Sequence, residues 1–249
     1  MDLHADVSVT AADIIQKSVA RAQHGEARSS EPGYTYRKVS VVEELDATGK
    51  IKERKQKVYQ VSFRGGASWA RLLEVNGHPP ARTDIKEQTE NETNARHVLG
   101  HSKGCQGNGE QNFLTSELVG RFDFRLVCQT NLNGRLAYQL DFQPKNPLPP
   151  TRTIFDRLLN QLSGTLWIDA EEYELARAQL QLNSEVDLLW GVVGTLKKFS
   201  YTLTRARVGE GIWLNSGSDG VFEGRKLLDP MRIKLRTQNS DFRPFPQSG

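Results

Sequence analysis

Apolar and polar positions along this chain follow two different periods. Near the start the period is helical. Ile15, Val19 and Ala22 recur at i, i+4 and i+7, which makes one helix face apolar. Thr10-Ala11-Ala12-Asp13 resembles a capping box that would open this helix, and Gly25 is its expected stop. Glu26 to Gly33 reads as a polar loop. From Tyr34 the period becomes two: Tyr34, Tyr36, Val39 and Val41 mark a strand that turns at Asp46-Ala47-Thr48-Gly49. A return strand from Lys50 to Phe63 makes a long hairpin with charged outer positions. Trp69 to Val75 is a third strand, ended by Asn76-Gly77 and Pro79-Pro80.

Thr83 to His101 breaks the alternation and predicts a highly charged surface helix. A Gly-rich loop follows from Ser102 to Glu110, then a short helix from about Gln111 to Val119 that would bury Phe113, Leu114 and Leu118. Strands resume at Arg121 to Thr130, where Phe122, Phe124, Leu126 and Cys128 would share one face, and at Leu136 to Phe142, where Leu136, Tyr138, Leu140 and Phe142 repeat the alternation, across the turn Asn131-Leu132-Asn133-Gly134. After the proline-rich crossover from Pro144 to Pro150, Ile154 to Leu162 predicts a compact helix. A hairpin comes next, Gly164 to Asp169 and Tyr173 to Leu182 about Ala170-Glu171-Glu172, then the apolar run Val186 to Val193. Three long strands end the chain: Leu196 to Val208, Gly211 to Phe222 and Lys226 to Phe242. About ten strands with short connections make an antiparallel sheet, and one that long must curl to bury a face and limit its edges. The expected fold is therefore mainly β (α+β): a long curled antiparallel sheet forming a half-open barrel, with helices covering the concave face. Residues 1–33 would supply an N-terminal helix and polar loop to the same domain as 34–249, which carries a polar insert at about 83–109.

Composition narrows the function classes. The chain has 249 residues, 37% of them hydrophobic, and its 33 basic against 30 acidic side chains are dispersed, so no basic stripe argues for nucleic acid. No window approaches about 18 consecutive apolar residues, which excludes a membrane-spanning helix. The first residues show no signal peptide, so an envelope location would require that segment to have been removed. Two cysteines are too few for a disulfide scaffold. Cys105 and Cys128 would form one bridge in an oxidising compartment and remain two thiols in a reducing one.

Catalytic and metal signatures are weak. His97, His101 and Cys105 have the spacing of one helix face, but Gly100 and Gly104 interrupt it and no fourth ligand stands nearby. The glycines of 104–109 lack the strand and the Lys-Ser/Thr of a phosphate loop. Glu43–Glu44 and Glu171–Glu172 are neighbours that point apart. There is no Gly-x-Ser-x-Gly elbow and no histidine beyond His101. The reading is a non-enzyme with no cofactor and no metal.

Resemblance adds to this. Gly164-Thr165-Leu166-Trp167-Ile168-Asp169 with Tyr173-Glu174-Leu175-Ala176-Arg177-Ala178 resembles a recurrent hairpin of the LolA/LolB-like lipoprotein-carrier superfamily. Tyr201-Thr202-Leu203, Gly211-Ile212-Trp213-Leu214 and Arg236 to Phe242 are similar to its terminal strands, and Phe122-Asp123-Phe124 with Gly134-Arg135-Leu136 to its middle. The likeness is strongest over about Phe122 to Phe242. It implies an incompletely closed antiparallel barrel whose helices plug or lid an apolar cavity. It also implies a periplasmic, monomeric protein that holds a lipid or a lipoprotein acyl chain as carrier or chaperone. A second reading is an envelope protein-interaction or sensor domain without lipid cargo, which the charged insert favours.

The expected lining and lid of the cavity are Trp69, Phe122, Phe124, Leu158, Leu159, Leu162, Trp167, Leu189, Trp190, Val193, Trp213 and Phe222. Singly, each would serve as plain core in any β domain. Two features point to a cavity instead. The Leu158-Leu159-Leu162 face follows a long crossover, as a lid would. The run Leu188-Leu189-Trp190-Gly191-Val192-Val193 is apolar on both alternating faces and hinged by glycine.

Overall fold

In the computed structural model, residues 9–26, 33–64, 67–99, 114–188, 194–226 and 229–245 are described. The elements run α1 (Ala11–Glu26), β1 (Gly33–Leu45), β2 (Ile51–Arg64), β3 (Ala67–Val75), α2 (Arg82–Leu99), α3 (Ser116–Val119) and β4 (Phe122–Leu132). They continue with β5 (Arg135–Pro144), α4 (Ile154–Leu159), β6 (Leu162–Asp169), β7 (Leu175–Leu182), β8 (Val186–Leu188), β9 (Gly194–Gly209), β10 (Ile212–Lys226) and β11 (Asp229–Phe245). The described strands form one antiparallel sheet in the order β3-β2-β1-β11-β10-β9-β7-β6-β5-β4, with β8 attached to β9 off this path. It is not closed into a barrel, because β3 and β4 each pair on one side only.

The final strand lies beside the first, with Val41 opposite Arg236 and Val42 opposite Leu235. That places β3 and β4, successive strands of the chain, at opposite edges. Nine steps of the strand order separate them, each of about 4.8 Å in the pairing direction. The polar segment after Pro80 is thus the connection from one sheet edge to the other, with α2 and α3 as its described helices.

Register shows which residues share a face. Phe142, Gly164, Leu180, Tyr201, Gly220, Leu235, Val42 and Lys55 are successive partners from β5 to β2. The main core lies at the β5 end of this face. There Ile14, Ile15 and Val19 of α1 meet Leu140, Phe142, Leu166, Ala178 and Leu203. A second cluster, Tyr34, Tyr36, Val61 and Leu214, is built largely from β1 and β2. Over β2, Glu87 of α2 accepts from Lys55 Nζ at 2.7 Å, with Lys57 Nζ at 3.6 Å. Both lysines belong to the face that carries α1, so α1 and α2 lie against the same side.

Local chemistry shifted several expected boundaries. The capping box opens α1 as read, with Thr10 Oγ1 accepting from Asp13 N at 3.2 Å and Asp13 Oδ2 accepting from Thr10 N at 3.1 Å. Gly25 does not stop this helix, which runs to Glu26, and Ile14, absent from the predicted face, is its fully buried residue. The helix expected over Ile154 to Leu162 ends at Leu159. Asn160, 6% exposed, donates to Pro149 O at 2.8 Å and accepts from Arg121 at 3.1 Å. Satisfying those groups fixes the chain in a stop, and Leu162 becomes the first residue of β6. Tyr173 is not yet strand: its φ of 55° prolongs the turn, and β7 starts at Leu175. Of the helix expected over 111–119, α3 is the described part; Phe113 lies outside the described residues.

α4 also carries a capping box. Thr153 Oγ1 accepts from Asp156 N at 3.0 Å, and the Asp156 carboxylate accepts from the Thr153 backbone N–H at 2.9 Å. Burial alone would raise the Asp156 carboxyl, but the Arg152 and Thr153 donors and the Arg121 charge hold it below its ordinary value. Thr153→Ala is expected to cost about 1 kcal/mol in chemical denaturation, with the m-value unchanged.

Candidate functional site

The groove between α1, α3 and the edge strand β4 has a volume of about 480 Å³. Helix spacing brings Ala12, Ile15 and Val19 to it, and strand alternation brings Phe122 and Phe124 from β4. Val119 of α3 completes the apolar lining. Thr115 fixes that short helix by accepting from Leu118 N at 3.2 Å. Ile15, Val19 and Phe122 are buried, whereas the polar lining residues Gln16, Ser116, Asp123 and Lys145 are exposed. The groove therefore has an apolar floor and a polar rim. Phe122, Phe124 and Phe142 pack around it, with Phe122 and Phe142 edge to face at 5.1 Å between centroids.

The frame around this groove is polar and ion-paired, with Arg121 Nε and Ser18 Oγ buried without a hydrogen-bond partner. Arg121, one residue before β4, pairs with Asp156 at 3.0 Å and donates to Asn160 and to Pro150 O. Those contacts tie β4 to α4 and to the crossover that precedes it. Towards the C-terminal end of α1, Arg21 meets Glu174 at 3.2 Å and donates to Gly211 O, and Arg205 meets the same Glu174 at 2.9 Å. Lys17 donates to Tyr173 Oη at 3.1 Å, which raises its pKa. These contacts hold α1 across the sheet from the groove to the β6–β7 turn.

The predicted lining residues fall into separate places. Phe122, Phe124, Leu158, Leu159 and Leu162 meet around α1, in its core or packed against that core. Phe222 lies farther along the same face, 5.3 Å from Phe199 between ring centroids, and Phe199 stacks on Tyr201. Trp167 sits on the opposite face. Its registered partners are Gln139 and Arg177, while its neighbours Leu166 and Ile168 are the ones packed in the core. Trp213 is buried in the polar corner, its indole N–H donating to Glu172 at 2.6 Å. Trp69 is 60% exposed on the edge strand β3, far along the strand order from the groove.

Leu189, Trp190 and Val193 lie outside the described residues, as does Cys105; Cys128 is an exposed free cysteine on β4. Among the described residues no group of three His, Cys, Asp or Glu side chains could hold a metal ion. No described helix is long and apolar enough to cross a membrane. The groove residues that the sequence did not place in the cavity are Ala12, Ile15, Gln16, Val19, Ser116, Val119, Asp123 and Lys145. The helical period had already marked Ile15 and Val19 as apolar, but only packing shows that they floor a groove.

No protein-family model matches the chain, and no curated protein does. Solved structures do. A LolA superfamily protein from Nitrosomonas europaea is similar at 13% identity and a TM-score of 0.31, covering 96% of each chain. A DUF1329 family protein from Desulfovibrio piger is similar at 9% identity and a TM-score of 0.32, covering 92% of each chain. The MucA/MucB complex structure from Pseudomonas aeruginosa is similar at 10% identity and a TM-score of 0.29, with 94% of this chain and 100% of that chain covered. The superfamily that the hairpins resemble is thus among the structural matches. Likeness at these scores carries no functional weight, and the groove's own residues supply it.

Proposed function

We propose that this chain is a non-enzymatic envelope protein that holds the acyl chain of a lipid or lipoprotein in the groove between α1 and β4. The observation that carries the reading is the groove itself: about 480 Å³, floored by buried Ile15, Val19 and Phe122 and rimmed by exposed Gln16, Ser116, Asp123 and Lys145. An apolar chain gains about 25 cal/mol per Å² buried there, and the polar rim keeps a head group in water. The volume lies within the range of small-molecule sites, about 300–1,000 Å³. The sequence resemblance to lipoprotein carriers points the same way.

Ala12 tests the reading without opening the core, because it lines the groove yet is exposed. Titration of the full chain with 11-(dansylamino)undecanoic acid is expected to give saturable binding. Ala12→Trp, which fills the groove from one side, is expected to weaken it about tenfold while circular dichroism is unchanged, a loss of about 1.4 kcal/mol. Absence of saturable binding by the parent, or equal binding by a folded Ala12→Trp variant, overturns the proposal. The second reading, an interaction surface, draws its support from α2. That helix meets β2 through ion pairs and leaves Ile85 51% exposed.

A further inference from the structure

The face of the sheet opposite α1 holds another groove, of about 510 Å³, across β5, β6, β7 and β9. Asp141, Thr165, Gln179 and Thr202 pair in register across these strands. Each is one residue removed from a core residue of the α1 side, so the four side chains point the other way. Gln181 and Ser200 form the next registered pair along the same groove.

The side chains define the ligand chemistry. With Gln143 and Ser163, which also line the groove, three primary amides and four Ser/Thr hydroxyls both donate and accept, and the carboxylate accepts. Asp141 is already oriented, with Arg125 donating to Oδ2 at 2.8 Å and Thr165 to Oδ1 at 2.9 Å. Arg125 also balances its charge, so the groove offers dense hydrogen bonding with little net charge. A phosphate would find no cationic cluster there, and an acyl chain would have to desolvate amides and hydroxyls. One register row beyond the groove's lining, on the same face, stands Trp167, with the Arg177 guanidinium 5.1 Å from its ring centroid.

We infer that this groove binds a short neutral oligosaccharide, whose adjacent hydroxyls match paired amide and hydroxyl groups set at strand spacing. The site is independent of the acyl-chain groove and lies on the other side of the sheet.

The test is calorimetric titration of the full chain with cellotriose, maltotriose and chitotriose, each in a separate experiment. At least one is expected to bind saturably, in the millimolar range or tighter. The double substitution Gln179→Ala/Gln181→Ala is expected to weaken that binding about tenfold, the loss of one to two hydrogen bonds. Both glutamines are exposed, so the melting temperature should be unchanged. Ala12→Trp should leave sugar binding intact, which separates this site from the acyl groove. Failure of all three sugars to bind saturably overturns the inference, and so does undiminished binding by the folded double variant.

Discussion

Asp169→Ala is expected to lower stability by about 3 kcal/mol, because removing one partner of a buried ion pair leaves the other uncompensated. Asp169 is 1% exposed. It accepts from Arg135 Nε at 2.6 Å and Nη2 at 2.9 Å, and from the backbone N–H groups of Glu171 and Glu172 at 3.1 and 2.8 Å. Those last two bonds shape the turn that leads into β7. Alanine would orphan both N–H groups as well as the guanidinium. Arg135 retains 29% side-chain exposure and a contact with Glu171, so part of its charge rehydrates. The cost therefore falls at the low end for a buried pair. For a chain of this length the melting temperature should drop by roughly 10 °C, read by calorimetry.

The same carboxylate has a pH signature. Burial by itself would raise its pKa, but Arg135 and the turn N–H groups outweigh burial and hold it below the ordinary value. A carboxyl with a depressed folded pKa contributes stability above its unfolded pKa of about 3.9 and loses that contribution as the pH falls through the folded value. The gap between parent and Asp169→Ala should thus be full near neutrality and shrink below about pH 4. A gap that stays constant down to about pH 3 would count against Asp169 being ionised in the fold.

Gly164→Ala is expected to cost about 3 kcal/mol or more, above the usual range for an added methyl group. A Cβ on Gly164 would overlap the Gln179 carbonyl oxygen and press on Phe142 Cε1 at 3.1 Å. The obstacle is the backbone of the neighbouring strand, so no rotamer change relieves it and β6 must separate from β7. Gly220, in the same registered row, is under gentler constraint, since its Cβ would meet the rings of Phe222 at 2.9 Å and Tyr201 at 3.1 Å. A control comes from Gly77, which has φ of 82° and nothing within 4 Å of its Cβ position. Gly77→Asn keeps a residue that tolerates this conformation and should change stability by no more than about 0.5 kcal/mol. Equal denaturation midpoints for Gly164→Ala and Gly77→Asn would refute the close approach of β6 and β7.

Asp169→Ala and Gly164→Ala both act on the half of the sheet that carries the groove, and both bear on how much of that half the sequence expressed. Alternation on β4 and β5 was legible as far as Leu126: Phe122, Phe124 and Leu126 with Tyr138, Leu140 and Phe142 do share the face that α1 covers, but the bulge between Leu126 and Cys128 sets Cys128 opposite Gln139 on the other face. The same alternation says nothing about where along a strand a face is covered. Leu136, of the same parity, is 49% exposed, because α1 and its neighbours do not reach it. Trp167 shows the complementary limit. Its size suggested a lining residue, but its parity follows Gln139 and Arg177, and it stands on the side opposite α1.

The sequence by itself determined the local devices: the capping box of α1, the two-residue turns with positive φ at Asn76-Gly77 and Asn133-Gly134, and the β4–β5 hairpin joined by the second of them. Each depends on residues a few positions apart, so hydrogen-bonding capacity and backbone freedom suffice to specify it. The tertiary structure decided the pairing of β1 with β11, the consequent placing of β3 and β4 at opposite edges, and the grooves on the two faces. Period-two patterning marks which residues share a face but carries no address for a partner strand nearly the whole chain away. That choice is made by non-local packing, where Tyr36 meets Phe242 and Ile14 and Val19 meet the strands beneath them.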